Sequence, residues 1–185
     1  MKIFRFVILG LFLVSKISVS AQKIELGTLA FLNGENEINL IMDYSDAILN
    51  NINVQKYKNQ KEDNWGPGWD GETRIFLFEK FVLKFNFKLG VKYKIMAGDF
   101  PNANYTATVK VLRIERNGQT TGKLTFTKKD SNDVLSIITF VSEGGKYGTF
   151  ENLAGDGSQE AGSILGEFIR KNIPKTTASK KISKQ

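Results

Sequence analysis

Residues 104–142 read NYTATVKVLRIERNGQTTGKLTFTKKDSNDVLSIITFVS, and this stretch sets the architecture of the chain. Three runs rich in β-branched and aromatic residues, 104–116, 122–129 and 134–142, are separated by two turn signals. The first turn is Asn117-Gly118, a dipeptide typical of tight hairpins, and the second is a run of short polar residues. The pattern predicts a three-stranded antiparallel meander.

Further strands are predicted upstream of the meander. Residues 26–32 and 37–42 are apolar runs separated by Asn33-Gly34, which indicates a second hairpin. Residues 91–97 form one more candidate strand. Together with the meander, these segments predict a mostly antiparallel sheet of five or six strands.

Two helices are predicted, the first over residues 73–89. Apolar side chains recur there at the three- and four-residue spacing of an amphipathic helix, namely Ile75, Phe78, Val82, Phe85 and Leu89. Residues 81–89 also alternate at period two, so a strand stays open as the alternative for that half.

The second helix is predicted over residues 157–171, after a glycine-rich loop. Asp156 and Gln159 have the spacing of a capping box at its start. Small residues recur every four positions along it: Ser158, Gly162 and Gly166. Because glycine inside a helix costs about 1 kcal/mol relative to alanine, this column predicts close packing against a neighbouring element.

The elements define an α+β fold class. We expect one two-layer domain over residues 22–172, in which the two helices pack on one face of the mostly antiparallel, five- to six-stranded sheet. A chain of 185 residues is long enough to bury roughly 70% of its unfolded surface without a metal or disulfide.

The N-terminal segment predicts export. It starts with two basic residues, Lys2 and Arg5. The apolar run 6–14 follows, and then a short stretch of small and polar residues ending at Ala21. Nine residues of helix span about 14 Å, less than half of a bilayer core of about 30 Å. We therefore interpret residues 1–21 as a signal peptide, cut between Ala21 and Gln22, and expect a periplasmic or extracellular protein without a transmembrane segment.

The net charge of +7 is unevenly distributed. Residues 22–169 hold all 19 acidic and 17 of the 26 basic side chains, a balance of −2. A folded body of this charge argues against a nucleic-acid partner. Residues 173–185 read as a disordered basic tail, which predicts weak contact with an anionic surface through its lysines Lys175, Lys180, Lys181 and Lys184.

The chain has no histidine and no cysteine. These absences exclude a Ser-His-Asp triad, thiolate nucleophiles, cysteine-based zinc or iron–sulfur sites and disulfides. Acid–base chemistry is left mainly to carboxylates, and we predict no bound cofactor.

Two groups of residues are candidate sites. Trp65 and Trp69 flank a Gly/Pro loop and predict an aromatic platform for a sugar or peptide, with packing onto the domain as the alternative. Asp43 and Asp46 form a carboxylate pair for acid–base chemistry or calcium, and Asp70-x-Glu72 forms a second. The predicted ligand-binding residues are therefore Trp65, Trp69, Asp43 and Asp46.

Three short motifs resemble those of a group of small secreted Bacteroidetes proteins with no established function. They are Asp43-Tyr44-Ser45, Gly98-Asp99-Phe100-Pro101-x-Ala103-x-Tyr105-Thr106 and Ala161-Gly162-x-x-Leu165-Gly166-x-Phe168-Ile169. The resemblance implies a two-layer α+β domain and brings no catalytic residue with it.

Together these observations favour an exported, non-catalytic envelope or secreted protein that binds or scaffolds a partner, either an envelope protein or a glycan. The alternative is a carrier of a small glycan or lipid, with the tryptophan loop at the pocket mouth. A carboxylate-dependent hydrolase is the third hypothesis.

Overall fold

The computed structural model describes residues 22–59, 68–131 and 133–174. Its strands are β1 (Gln22–Gly27), β2 (Glu37–Asp43), β3 (Ile48–Leu49), β4 (Ile52–Asn53), β5 (Met96–Gly98), β6 (Tyr105–Ile114), β7 (Thr120–Lys128) and β8 (Val134–Val141). Its helices are α1 (Val54–Tyr57), α2 (Arg74–Gly90) and α3 (Phe150–Asn172). A 3₁₀ turn, Ala30–Leu32, follows β1, and a distorted helical turn, Trp69–Thr73, leads into α2.

The predicted meander is confirmed. Strands β6, β7 and β8 pair antiparallel, and the register aligns Val109 with Leu124 and Leu124 with Ile138. The β6–β7 turn contains Gly118, whose φ of +85° suits glycine and whose N–H donates to the carbonyl of Glu115. Side-chain alternation and turn chemistry thus place these three strands correctly.

The full sheet is larger than predicted and is mixed. Its eight strands follow the order β1-β8-β7-β6-β2-β5, with the short β3 paired to both β6 and β4. β2 runs parallel to β6, and β5 runs parallel to β2. The expectation of five or six mostly antiparallel strands is therefore wrong, because an apolar alternation does not encode strand direction and the β2–β5 connection crosses over through α2.

The predicted hairpin at Asn33-Gly34 is also wrong. β1 pairs with β8 at one side of the sheet, and three strands separate it from β2. Between them, Leu29 and Leu32 are three residues apart and both are buried. A three-residue spacing of buried side chains fits the 3₁₀ turn rather than the end of a strand.

A single hydrophobic cluster joins the sheet to the two long helices. The inward-facing side chains of the main strands are Ile38, Leu40, Ala107, Val109, Leu124, Phe126, Ile138 and Phe140. Leu77, Phe81, Phe85 and Leu89 of α2 belong to the same cluster, as do Ala161, Leu165 and Ile169 of α3.

The first predicted helix is confirmed, and its expected apolar face is confirmed in part: Phe85 and Leu89 are buried, and Phe78 and Val82 pack against the core. The core row is Leu77, Phe81, Phe85 and Leu89, whereas Ile75 is exposed. The period-two alternation of residues 81–89 arises because alternate apolar residues lie on two faces of one helix, inward at Phe85 and outward at Leu83 and Phe87.

Helix α3 starts seven residues before the predicted position of 157. Its N-cap is Thr149, whose side chain accepts the N–H of Asn152, so Asp156 is not a cap. Gly155 lies inside the helix, where a Cβ would come within 2.6 Å of the Phe76 ring. Tertiary packing therefore keeps the glycine-rich stretch helical in spite of its low propensity.

The small-residue column brings α3 against α2 at van der Waals distance. Ser158 donates its hydroxyl to the carbonyl of Leu77 at 2.8 Å. A Cβ on Gly162 would collide with the Phe81 carbonyl oxygen, and one on Gly166 would lie 2.5 Å from that of Phe85. The two helices thus run parallel, with residues of one matched at four-residue intervals to those of the other.

The C-terminal boundary lies beyond the predicted residue 172. Ile173 is buried, and its N–H donates to the carbonyl of Ile169. The carbonyl of Pro174 accepts a hydrogen bond from the Asn33 side chain. The folded body therefore extends through Pro174, while the predicted tail lysines (Lys175, Lys180, Lys181, Lys184) and signal peptide 1–21 lie outside the described residues.

Across the described ranges, no helix combines the length and the apolar character that crossing a bilayer requires.

Replacing Gly162 with alanine is expected to lower the free energy of unfolding by about 2 kcal/mol, because the added methyl group must push α3 away from α2. Gly90→Ala is the matched control, since a Cβ at Gly90 meets nothing within 4 Å. The control should be neutral or stabilising by up to about 1 kcal/mol. Urea denaturation of both variants measures the difference, and equal stabilities would contradict the close-packing account.

Candidate functional site

A groove of about 620 Å³ lies between β2 and the first turns of α2, and we call it the edge groove. β2 contributes one wall, including Ile41. The turn before α2 and the helix itself contribute the other, including Arg74, Ile75 and Phe78. The loop after β5 closes one end with Asp99 and Pro101.

The edge groove runs along a length of β2 that has one strand neighbour. β6 pairs with residues 39–43 on one side, whereas β5 pairs only with residues 37–39 on the other. On that second side, residues 40–43 have no strand partner in the described part of the chain. Backbone groups that point away from β6 there are available to an added strand.

The side chain of Asn39 helps to end the β5 pairing. Its oxygen accepts the N–H of Phe100 at 3.2 Å, and its amide donates to the Thr106 hydroxyl at 3.4 Å. The carbonyl of Phe100 in turn accepts the N–H of Ala103. These bonds hold the loop after β5 in a tight turn that leaves the β2 edge open.

A second set of bonds fixes β5 to α2. The Asn86 side chain donates to the Ala97 carbonyl and accepts the Ala97 N–H, both at 2.8 Å. These bonds tie α2, which forms one wall of the edge groove, to β5, which pairs with only part of β2.

The lining of the edge groove combines apolar surface with an excess of negative charge. Ile41 and Ile75 are 46% and 58% exposed, so each offers apolar area to a ligand. Three carboxylates and one guanidinium lie among the lining residues, namely Asp70, Glu79, Asp99 and Arg74. The groove therefore suits a ligand with apolar and cationic groups.

A smaller cavity of about 230 Å³, the Trp69 cavity, adjoins the edge groove and shares Tyr44, Asp70 and Arg74 with it. The Trp69 ring packs edge-on against Tyr44, with 5.3 Å between ring centroids, and against Tyr57 at 6.1 Å. This aromatic cluster anchors the turn that starts α2.

The charges around the Trp69 cavity are mostly paired. Lys58 lies 2.8 Å from Asp70. The Ser45 N–H donates to Asp43 at 2.8 Å, and this bond, helped by the charges of Lys110 and Arg74, lowers the pKa of Asp43. Asp43 is therefore an ionised hydrogen-bond acceptor at neutral pH.

Burial has the opposite effect on Tyr44. Removal of its hydroxyl from water raises the Tyr44 pKa well above the ordinary value, so the side chain stays neutral at every physiological pH. Tyr44 can offer a neutral aromatic surface to both cavities.

Two of the four predicted ligand-binding residues are brought together. Asp43 and Trp69 both line the Trp69 cavity. Asp46 instead forms an ion pair with Lys110 at 2.5 Å, and Trp65 lies outside the described residues. Trp69 is 1% exposed, so the exposed aromatic platform is wrong for this residue, and the packing alternative describes it.

Three of the four predicted carboxylates have partners in the structure. Asp43 accepts the Ser45 N–H, Asp46 is paired with Lys110, and Asp70 is paired with Lys58. Within the described ranges, no group of three or more acidic side chains is arranged to hold a metal ion.

The sequence did not identify Arg74 or Ile75 as groove residues, and the helical spacing assigned Ile75 to the apolar face of the helix. A cation in the first turn of a helix opposes the helix dipole, so the position of Arg74 carried a signal of some other role. Buried residues recur every four positions from Leu77 to Leu89, and Ile75 does not belong to this row. The four-residue spacing was therefore a signal that Ile75 is a surface residue.

Comparison with known proteins adds little. No protein-family model and no curated protein matches the sequence. Two structures of the PelC dodecamer from Paraburkholderia phytofirmans, one of them of a point variant, are similar at 12% and 13% identity. The matches cover 78% of this chain and 97% of those chains, with a TM-score of 0.39. A likeness at that level carries no argument about this protein.

Asp43→Asn keeps a hydrogen-bond acceptor for Ser45 but removes the charge. The folded-state pKa of Asp43 lies below its unfolded value near 3.8, so the charge stabilises the fold above that pH and this contribution is lost as the pH falls through the folded-state pKa. The variant should be less stable than the parent protein at pH 7 and should approach it below pH about 4. Urea denaturation across this range measures the effect, and a difference independent of pH would contradict it.

Proposed function

We propose that this is an exported, non-catalytic envelope or secreted protein that binds an extended segment of a partner protein in the edge groove. The observation that carries the proposal is the unpaired edge of β2 at residues 40–43, which faces an apolar groove of about 620 Å³. Strand addition is a recurrent mode of peptide recognition, since main-chain bonds supply affinity and alternate side chains supply specificity.

The length of the free edge limits the bound segment. Four residues of strand extend about 13 Å, so the core of the recognised segment is about four residues long. Alternate side chains of such a segment enter the groove, where Ile75 and Phe78 offer an apolar wall. The carboxylates of Glu79 and Asp99 favour lysine or arginine at the other positions.

Export rests on the sequence of residues 1–21, in which a basic start is followed by the apolar run 6–14 and by small residues before the predicted cut.

The carrier alternative has less support. A cavity between the helices and the sheet, lined by residues such as Phe81 and Phe140, holds about 10 Å³, no more than a single water needs. An enclosed lipid site would require a much larger volume. A glycan platform would require an exposed aromatic face, and the Trp69 ring is occupied by Tyr44 and Tyr57.

A phage-displayed library of random peptides, selected against the protein, tests the groove. We expect enriched peptides that combine apolar and basic residues, with affinities reduced about fivefold or more by Ile75→Ser, because that change removes apolar contact area. Leu83→Ser is the matched control, because Leu83 is similarly exposed on the same helix but does not line the groove.

Failure to enrich any peptide would refute the groove proposal. So would peptides that bind the Ile75→Ser and Leu83→Ser variants equally well.

Mass spectrometry of the protein recovered from a bacterial expression host tests export separately. The expected N-terminus is Gln22 in the periplasmic or secreted fraction. An intact Met1 on cytosolic protein would contradict it.

A further inference from the structure

Helix α2 carries a second apolar row on the side that faces away from the core. Leu83 and Phe87, together with Val91 at the C-cap of the helix, are spaced one turn apart and are 64%, 66% and 67% exposed. We call these three residues the outer row. Three large apolar side chains exposed in line on one helix are unusual for a surface that contacts only water.

Lysines border the outer row, and the ammonium groups of three of them lie near aromatic rings. The Lys84 ammonium lies 5.9 Å from the centre of the Phe87 ring, and that of Lys80 lies 5.5 Å from the Phe76 ring. Lys92, which follows Val91, lies 4.7 Å from the Tyr93 ring. The outer row is thus an apolar strip with a cationic border.

Two acidic side chains near the outer row belong to other features of the molecule. Glu79, one turn before Leu83, lines the edge groove. Glu167 of α3 lies close to three cations, 2.6 Å from Lys171, 3.7 Å from Arg170 and 3.9 Å from Lys88. The charges of Lys80, Lys84 and Lys92 are therefore not offset by an ion pair between described residues.

We infer that the outer row and its lysine border dock this protein on the surface of a bilayer rich in anionic phospholipid. Apolar side chains of an interfacial helix enter the boundary between headgroups and acyl chains, while the cationic side chains remain with the lipid phosphates. The alternation of Leu, Phe and Val with lysine along α2 has this chemistry, and α2 lies along the surface rather than across the bilayer.

Charge favours an anionic bilayer over a second copy of this chain as the occupant of the outer row. Two outer rows placed face to face would bring six lysine side chains together, and like charges across an interface oppose association. An anionic lipid surface neutralises the same charges, so the strip is complementary to lipid and not to itself.

The C-terminus of the described chain lies at the same end of the molecule. The Tyr93 hydroxyl donates to the carbonyl of Ile173 at 3.3 Å, so the end of α3 lies beside the residues that follow α2. The predicted tail lysines follow from Lys175, and their attraction to anionic lipid adds to that of the strip.

Vesicle co-sedimentation tests the inference with the chain from Gln22 to Gln185, because the apolar run 6–14 would itself bind lipid. The vesicles contain phosphatidylcholine alone or phosphatidylcholine with about 30% phosphatidylglycerol. We expect binding to the anionic vesicles only, weakened when NaCl is raised from about 50 to about 500 mM.

Variants separate the strip from the other features of the molecule. Phe87→Ser should lower the partition coefficient on the order of tenfold. The Lys80→Gln/Lys84→Gln pair should lower it about tenfold or more. Val134→Ser is the control, because it removes an exposed apolar side chain from β8 and not from α2, and it should leave lipid binding unchanged. Removal of residues 175–185 should weaken binding without abolishing it.

Three outcomes would overturn the inference. They are no binding to anionic vesicles, equal binding by the parent protein and Phe87→Ser, and complete loss of binding on removal of residues 175–185 alone. Recovery of a stoichiometric acidic protein that binds the outer row, without any lipid binding, would assign the strip to a protein partner instead. Each result is independent of peptide selection on the edge groove.

Discussion

The backbone contact between α2 and α3 is the constraint on which the rest of the molecule depends. Ser158, Gly162 and Gly166 remove side-chain bulk from one side of α3, and the carbonyls of Leu77, Phe81 and Phe85 occupy the space. Because the contact is made by backbone atoms, neither helix can rotate about its axis. Rotation of α2 would place one of its side chains in the space beside a glycine of α3, where only a hydrogen atom fits. The glycines that weaken α3 as an isolated helix thus specify how it packs.

The fixed rotation of α2 divides its surface into three faces. The row from Leu77 to Leu89 fills the core, Ile75 and Phe78 line the edge groove, and the outer row faces solvent. Apolar residues on all three faces explain why the sequence of this helix also alternates like a strand. The proposed peptide groove and the proposed lipid-binding row lie on different sides of this one helix, so occupation of one leaves the other accessible.

The short β5 has the second deciding role. A strand of three residues covers only part of β2, so the sheet ends in an edge that is exposed from residue 40 onward. Exposed edges invite aggregation unless charge or a covering element protects them. Here the turn at Asp99 and Pro101 and the charged side chains of Asp70 and Arg74 border the edge.

The sequence by itself determined the elements whose signals are local. Asn117-Gly118 and the flanking alternation specify the meander, the spacing of apolar residues specifies α2, and the four-residue column of small residues specifies a close helix contact. Asp43 and Trp69 were predicted as ligand-binding residues and both line one cavity, but Trp69 is buried and not exposed as the prediction required. Tertiary structure alone decided the partner of β1, the parallel direction of β2 and β5, the early start of α3 and the edge groove formed with Arg74 and Ile75. These features depend on residues far apart in the chain, and periodicity within a segment carries no information about which distant segment will satisfy its hydrogen bonds or cover its surface.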